Sequence, residues 1–166
     1  KEGTVYGIDM TDEMIEVAIR NQESYSTQLG YNNMTFFKGY IENIADVGIK
    51  PQSVDIVVSN CVVNLSPDKL SVLQGVYDCL TDGGEFYFSD VYCDRRLDKT
   101  IQENKILWGE CISGALYIED FKRYCHQVGF LDPRIMEQRE FTIHNPELQQ
   151  LVGDAKFYSV TFRLFK

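Results

Sequence analysis

Two of the five cysteines lie in segments that suit ligand binding. Cys61 follows the polar pair Ser59 and Asn60 within the run Val54–Leu65, and Cys111 lies in the glycine-flanked segment GECISG. Thiolate sulfur is a soft ligand, so two such side chains suit a soft, thiophilic centre. Free cysteine is also among the most buried residue types, so a packing role for Cys61 stays open.

A carboxylate at the end of a strand offers a second kind of chemistry. Asp9 follows the strand pattern Thr4–Ile8 and could accept hydrogen bonds from both hydroxyls of a ribose. A turn or helix-capping aspartate is the alternative. Because a ribose acid follows the second strand of a doubly wound sheet, and no GxGxxG loop is present, we expect the first strand and its glycine loop to be absent from this sequence.

The apolar run at the centre of the chain predicts the strand that positions Cys61. Val54 and Ile56–Val58 have the continuous hydrophobicity of a strand buried on both faces, as in a parallel sheet. Open α/β sheets bind ligands just beyond the carboxyl ends of their strands. Asn60 and Cys61 are therefore expected at a ligand site. Ser66 as N-cap and Pro67 at the first helical position predict that a helix follows.

Periodicity and turn residues predict an α/β fold for the whole chain. Strands and helices alternate up to Val91, which favours a right-handed, parallel sheet. Thr11 is a suitable N-cap and Gly30 a suitable stop for the first helix. Towards the end of the chain, the patterns predict a helix at Ile118–Val128, a short helix near Pro146–Val152, and strands at Arg134–Ile143 and Phe157–Phe165, the two strands forming an antiparallel edge hairpin.

Length, net charge and cysteine content limit the kinds of partner that this chain is expected to bind. At 166 residues it is the size of one domain, and its net charge of -9 argues against nucleic acid or an anionic membrane as the main partner. No apolar stretch approaches the length of a membrane span. Five cysteines is an odd number, and no CxxC pair occurs. We therefore expect reduced thiols and a cytoplasmic location.

Several segments together resemble the arsenite methyltransferases, an S-adenosylmethionine-dependent family of the class I, seven-strand type. They are GIDMT, FKGYIEN, VDIVVSNCVVNLSPDK, DGGEFYFSDVY, GECISGALY and FYSVTFRLFK. SNCVVNL combined with GECISGALY, in that order, is the specific part. The resemblance runs from about Gly7 to the last residue. It implies a Rossmann-like, mostly parallel sheet that lacks the first strand, with residues 1–92 as the cofactor-binding half and 93–166 as the substrate half of one domain.

The resemblance also implies roles for individual residues. Cys61 and Cys111 match the two cysteines that bind trivalent arsenic as substrate. A third sulfur would come from an upstream segment or from a small thiol such as glutathione. The cofactor-binding positions implied are Asp9 at the ribose, Met10 beside the adenosyl group, Ile41 and Glu42 around the adenine, and Asn60 near the methionyl end.

The function implied is methyl transfer from S-adenosylmethionine to thiol-bound trivalent arsenic. The substrate would be arsenite or its thiol conjugate, with glutathione or a thioredoxin-type protein as reductant. Without the first strand, we expect the isolated chain to bind cofactor poorly and to have little activity. Two alternatives stay open: a methyltransferase of the same fold that acts on a small organic acceptor, and a catalytically silent domain that only binds a partner.

The remaining cysteines have weaker signals. Cys79 and Cys125 fall on predicted helix faces beside apolar neighbours, which favours packing. Cys93 follows a predicted strand end, and its role stays open. His126 and His144 lie in an amphipathic helix and a turn, and their positions do not favour a metal site.

Overall fold

The computed structural model describes residues 3–166. Within that range no helix combines the length and hydrophobicity needed to cross a membrane. Two short 3₁₀ segments, Ile41–Val47 and Val63–Leu65, flank the third strand in the sequence. The strands and helices, in chain order, are β1 (Val5–Asp9), α1 (Asp12–Leu29), β2 (Met34–Lys38), β3 (Val54–Asn60), α2 (Lys69–Cys79), β4 (Leu80–Cys93), α3 (Lys99–Gln102), α4 (Lys105–Gly109), β5 (Leu116–Tyr117), α5 (Ile118–Val128), β6 (Arg134–Phe141), α6 (Pro146–Val152) and β7 (Phe157–Phe165).

The strands form two separate hydrogen-bonded groups. The larger has the order β3-β4-β7-β6, with β5 paired to β4, and the smaller is the parallel pair β1-β2. Strands β3 and β4 are parallel, whereas β7 runs antiparallel to both β4 and β6. The predicted α/β class and the antiparallel hairpin near the end of the chain are confirmed, with β6 at the sheet edge.

A cavity of about 900 Å³ separates the two groups of strands. Its walls include the facing edges of β1 and β3 and the 3₁₀ residues Ile41 and Ile44. Ile56 and Val58 of β3 are consequently 60% and 71% exposed. The prediction that both faces of β3 are buried is therefore wrong, because this strand pairs with β4 on one edge and borders the cavity on the other.

Capping residues define the end of α1 and the start of α2. The N-cap of α2 differs from the predicted one. Helix α1 ends at Gly30, whose left-handed φ of 77° lets its N–H donate to the carbonyl of Ser26. Helix α2 has Asp68 as N-cap, because its carboxylate accepts from the backbone N–H of Ser71. The predicted N-cap, Ser66, is wrong, since its hydroxyl instead donates to Glu42.

An aromatic cluster joins the sheet to helix α5. The ring of Phe121 lies 4.9 Å from that of Tyr92 and 4.8 Å from that of Phe162. Phe88 stands 5.7 Å from Phe121 in an edge-on arrangement. All four side chains are at most 1% exposed. Such pairs add to the stabilisation from area burial, so this cluster contributes strongly to the packing of α5 against the sheet.

Truncating Phe121 tests the importance of this cluster. We expect Phe121→Ala to lower the free energy of unfolding by about 3–5 kcal/mol, because a large side chain leaves a cavity among rings that cannot close over it. Urea denaturation followed by circular dichroism measures the change. The control is Leu131→Ala, at a side chain 80% exposed, where we expect a change within about 0.5 kcal/mol. Equal losses in the two variants would contradict this assignment.

Candidate functional site

Cys61 lies directly after β3 in a strained but well-held turn. Its backbone N–H donates to the carbonyl of Ser89 at 2.9 Å, which extends the β3–β4 ladder by one residue. The φ angle of Cys61 is 54°, in the left-handed region that residues with a side chain rarely occupy. The residue is exposed, so its thiol is accessible from solvent.

Cys111 occupies a similar turn after helix α4. Its N–H donates to the carbonyl of Trp108 at 3.0 Å, and its φ angle is 58°. Ser113 anchors this loop, because its hydroxyl lies 2.8 Å from the carbonyl of Ile101 and 2.9 Å from that of Asn104. The loop predicted for GECISG is confirmed for residues 110–114, whereas Gly109 is the last residue of α4, and Cys111 is half-buried within the loop.

The fold brings these two cysteines together. The Cys111 thiol donates to the backbone carbonyl of Cys61, with 3.8 Å between sulfur and oxygen, although 50 positions separate the two residues. A charge on one thiol is also felt by the other, since a Cys61 thiolate raises the pKa of Cys111. The two cysteines are thus neighbours at the end of β3, and two thiols in one place suit a thiophilic atom.

Asn64 and Asp90 connect the Cys61 loop to strand β4. The backbone N–H of Asn64 donates to Asp90 Oδ2 at 2.9 Å, and its side-chain Nδ2 donates to the carbonyl of Val91 at 2.5 Å. Asn64 is 2% exposed and Asp90 is 1% exposed. A second Asp90 oxygen, Oδ1, accepts from the N–H of Val91 at 2.9 Å. The loop is therefore held by buried polar contacts, which are stronger and less tolerant of change than contacts in water.

Burial controls the charge state of Asp90. Removal from water raises the pKa of its carboxyl to about 6. The N–H groups of Val91 and Asn64 and the ammonium of Lys69 oppose this shift. Lys69 itself has a lowered pKa because it is partly buried, and Glu42 and Asp90 both favour its charged form. Asp90 is thus a carboxylate at neutral pH that begins to take up a proton as the pH falls towards 6.

The two thiols have raised pKa values. For Cys61 the main cause is burial, followed by repulsion from the Asp90 carboxylate. For Cys111 burial again comes first, followed by Asp90 and then Cys61. Both side chains are therefore predominantly protonated thiols at neutral pH. This limits their reaction with electrophiles that need a thiolate.

One carboxylate oxygen of Asp9 accepts hydrogen bonds from within the chain. Oδ1 accepts from the backbone N–H and the hydroxyl of Thr11, at 2.8 and 2.7 Å. Within residues 3–166, Oδ2 has no hydrogen-bond donor in contact, and the side chain is half-buried at the end of β1. This leaves an acceptor that fits a ribose hydroxyl. Met10, the next residue, is 59% exposed.

Two of the other three residues predicted to bind cofactor line the cavity. Ile41 and Asn60 line the cavity, and Asn60 is exposed at the end of β3. The Glu42 side chain accepts from the Ser66 hydroxyl at 2.5 Å, which ties the 3₁₀ segment to the turn before α2. Glu42 therefore has a structural contact in addition to its predicted role, which stays a prediction, as do those of Ile41 and Asn60.

The remaining three cysteines are buried. Cys79 is 4% exposed, and Cys93 and Cys125 are both 0% exposed. The packing role predicted for Cys79 and Cys125 agrees with this burial. Cys93 belongs to the smaller core cluster beside Val91 and Leu97, where its thiol contacts the Asp94 carboxylate.

Asn64 and Asp90 are structural contributors to the site that the sequence prediction missed. A signal for Asp90 was present, because an aspartate inside the apolar strand segment FYFSDVY must find hydrogen-bond partners if the strand is buried. No comparable signal exists for Asn64, whose partners are 26 and 27 positions away. A residue whose hydrogen-bond partners are distant in the sequence can be recognised only in the folded structure.

Comparison with known proteins identifies related sequences. Residues 1–129 match a family model described as a methyltransferase domain. An arsenite methyltransferase of Aquipseudomonas alcaligenes is 47% identical over 99% of this chain and 47% of its own length. The human arsenite methyltransferase is 48% identical over the full chain and 45% of its own length. The chain thus spans about half the length of these curated relatives.

The comparison with solved structures agrees with the sequence comparison. The crystal structure of CrArsM, an arsenic(III) S-adenosylmethionine methyltransferase from Chlamydomonas reinhardtii, has a TM-score of 0.94 and 50% identity, over 99% of this chain and 56% of that one. The YcgJ protein of Bacillus subtilis has a TM-score of 0.69 at 14% identity, covering 98% of this chain and 82% of its own. The second likeness shows the fold alone.

The electrostatic effect of Asp90 on the two thiols can be tested by alkylation. We expect Asp90→Asn to shift the pH profile of iodoacetamide alkylation at Cys61 and Cys111 to lower pH, because removing the negative charge lowers the pKa of both thiols. Mass spectrometry of the labelled peptides measures each rate. The control, Asp82→Asn, changes an exposed aspartate near the start of β4 and should leave both profiles in place. Identical profiles in the wild type and Asp90→Asn would rule out this coupling.

Proposed function

Because the chain belongs to the methyltransferase-domain family, we propose that it transfers a methyl group from S-adenosylmethionine to trivalent arsenic held by Cys61 and Cys111. The arsenite methyltransferases of human and Aquipseudomonas alcaligenes support this substrate, since each is nearly half identical across the chain. The observation that carries the proposal is the 3.8 Å contact between the Cys111 thiol and the Cys61 carbonyl. It supports one site that both sulfurs serve.

The thiols bind arsenic by replacing its oxygen ligands. Arsenite presents As–OH groups, and each thiol forms one As–S bond as one As–O bond breaks. The thiol proton leaves with the hydroxyl as water, so binding releases no net proton while the thiols are protonated. The raised pKa values of Cys61 and Cys111 are therefore compatible with tight binding at neutral pH. Sulfur is preferred over oxygen because arsenic is soft.

Two protein sulfurs leave the third position of trivalent arsenic for another ligand. We infer that a small thiol such as glutathione fills it, or a sulfur from another part of a longer protein. A thioredoxin-type protein or glutathione would act as reductant. The five free thiols support a reducing compartment, the cytoplasm, as the location.

The cofactor contributes the reactive group, and the chain contributes position. S-adenosylmethionine, when bound, supplies an electrophilic methyl group on its sulfonium sulfur. Asp9 would hold the ribose through its Oδ2 oxygen, with Met10 beside the adenosyl group. Ile41 and Glu42 would frame the adenine, and Asn60 would lie near the methionyl end, next to Cys61 in the chain.

The residues around arsenic act mainly by orientation. Arsenic bound through sulfur keeps its lone pair, which is the nucleophile, so no general base is needed to generate it. Holding a reactant in a fixed geometry removes much of the entropic part of a barrier. The Asp90 carboxylate adds a negative charge near the thiols, and arsenic becomes more positive as its lone pair is used. Asp90 therefore favours that change electrostatically.

Binding of a trivalent arsenical to the reduced chain tests this proposal. Phenylarsine oxide takes two thiols, so we expect wild type to bind it with 1:1 stoichiometry. Cys61→Ser and Cys111→Ser should each weaken binding by about 100-fold or more, because one thiol alone loses the advantage of two linked ligands. Isothermal titration calorimetry measures the affinity.

Cys79→Ala and Cys125→Ala are the matched controls. Both cysteines are buried, and alanine avoids placing a hydroxyl in the core, so binding should stay within about twofold of wild type. Equal affinities in all four variants would exclude the two-thiol site. A methyltransferase with a small organic acceptor, or a silent binding domain, would then be the better assignment.

A further inference from the structure

Gly114 brings the Cys111 loop into direct backbone contact with the Cys61 loop. A Cβ atom built on Gly114 would lie 1.9 Å from the carbonyl oxygen of Asn64 and 2.9 Å from its carbonyl carbon. No real contact is this short, and the clashing atoms belong to backbone. Only glycine lets the two loops approach this closely. The loops therefore meet at Asn64, three residues after Cys61.

Asn64 cannot move away to relieve such a clash. Its backbone N–H is bonded to Asp90, and its side-chain amide is bonded to the carbonyl of Val91. Both partners belong to β4, which pairs with neighbours on both edges. Breaking either contact would leave a buried polar group without a partner, at a cost of about 1–3 kcal/mol. The Cys111 loop would have to move instead.

Both cysteines have left-handed backbone conformations in the two turns that this contact joins. Cys61 and Cys111 are two of the three non-glycine residues within 3–166 with positive φ, the third being Gln52. Left-handed conformations at residues with a side chain persist when the surrounding structure fixes them. The Asn64–Gly114 contact supplies that constraint between the two turns, while Ser89 and Trp108 fix each turn separately.

We propose that Asn64 and Gly114 are positioning residues that set the separation of the two thiols, through the close approach of their backbones and the anchoring of Asn64 to Asp90 and Val91. The inference rests on the proposed function, because it matters to arsenic binding only if Cys61 and Cys111 are the ligands. Neither residue contacts the substrate. Each acts by determining whether both sulfurs reach one arsenic atom.

Gly114→Ala compared with Gly109→Ala gives a matched test at the two ends of one loop. A Cβ on Gly109 meets no atom within 4 Å, so Gly109→Ala should bind phenylarsine oxide within about twofold of wild type. Gly114→Ala must displace the loop by an ångström or more, and we expect affinity to fall by about 10- to 100-fold. If wild type itself fails to bind, the proposed function fails. If wild type binds and the two variants match it, the positioning role is wrong.

Single-thiol alkylation separates positioning from general damage. In a folded Gly114→Ala chain, iodoacetamide should still label Cys61 and Cys111 at least as fast as in wild type, although their joint capture of phenylarsine oxide falls. Buried Cys79 and Cys125 should stay protected. A merely destabilising change would expose these two as well, so their labelling serves as an internal measure of folding.

Asn64→Ala provides the second variant. It removes the amide that donates to Val91 but keeps the backbone and its clash-free contact with Gly114. We expect weaker phenylarsine oxide capture with normal single-thiol labelling. If both variants label at Cys79 and Cys125, these residues are needed for folding rather than for positioning, and the proposal is overturned. Wild-type affinity in Asn64→Ala would overturn it equally.

Discussion

The hydrogen bond from the Asn64 backbone to the Asp90 carboxylate is the contact on which the site depends. A carboxylate that is 1% exposed is costly unless its oxygens are bonded, and here Oδ1 and Oδ2 accept from the N–H groups of Val91 and Asn64. The same bond ties the segment after Cys61, which contains only the single 3₁₀ turn Val63–Leu65, to strand β4. The thiol pKa values of Cys61 and Cys111 are raised mainly by burial, and the negative charge of the Asp90 carboxylate raises them further.

Strand β4 is bonded to both cysteine loops, which lie far apart in the sequence. Its carboxyl-terminal residues bond in succession to the two cysteine loops: Ser89 to the N–H of Cys61, Asp90 and Val91 to Asn64, and Tyr92 pairs with Leu116 just after GECISG. Strand β7 and the aromatic cluster under α5 hold β4 in place from the other side. Core packing thus supports the chemistry, because a shift of β4 would move both thiols at once.

Local signals in the sequence predicted much of the fold. Gly30 as a helix stop, the short helix Pro146–Val152 and the strand Phe157–Phe165 agree with the structure, because each depends on neighbours within a few residues. The N-cap of α2 and the burial of β3 were predicted wrongly for the opposite reason. Ser66 is bonded to Glu42, 24 positions away, and the exposure of Val58 depends on which strands lie beside β3.

For the candidate site, too, the sequence predicted local features but not the contacts between distant segments. Cys61 and Cys111 were predicted from the glycine and polar residues beside them, together with the resemblance to arsenite methyltransferases. Their closeness and the role of Gly114 were beyond prediction, since nothing near Gly114 in the sequence indicates contact with Asn64, 50 positions before it. Hydrogen bonds and close approaches between distant segments are set by the assembled sheet, so composition and periodicity carry little information about them.

Mapping the bound arsenical by mass spectrometry tests the central claim most directly. The reduced chain is treated with one equivalent of phenylarsine oxide, digested without reductant and searched for peptides joined through a single arsenic atom. The account predicts one dominant species in which the Cys61 and Cys111 peptides are bridged. Bridges that involve Cys79, Cys93 or Cys125, or arsenic bound to single peptides alone, would contradict the convergence of these two thiols on one site.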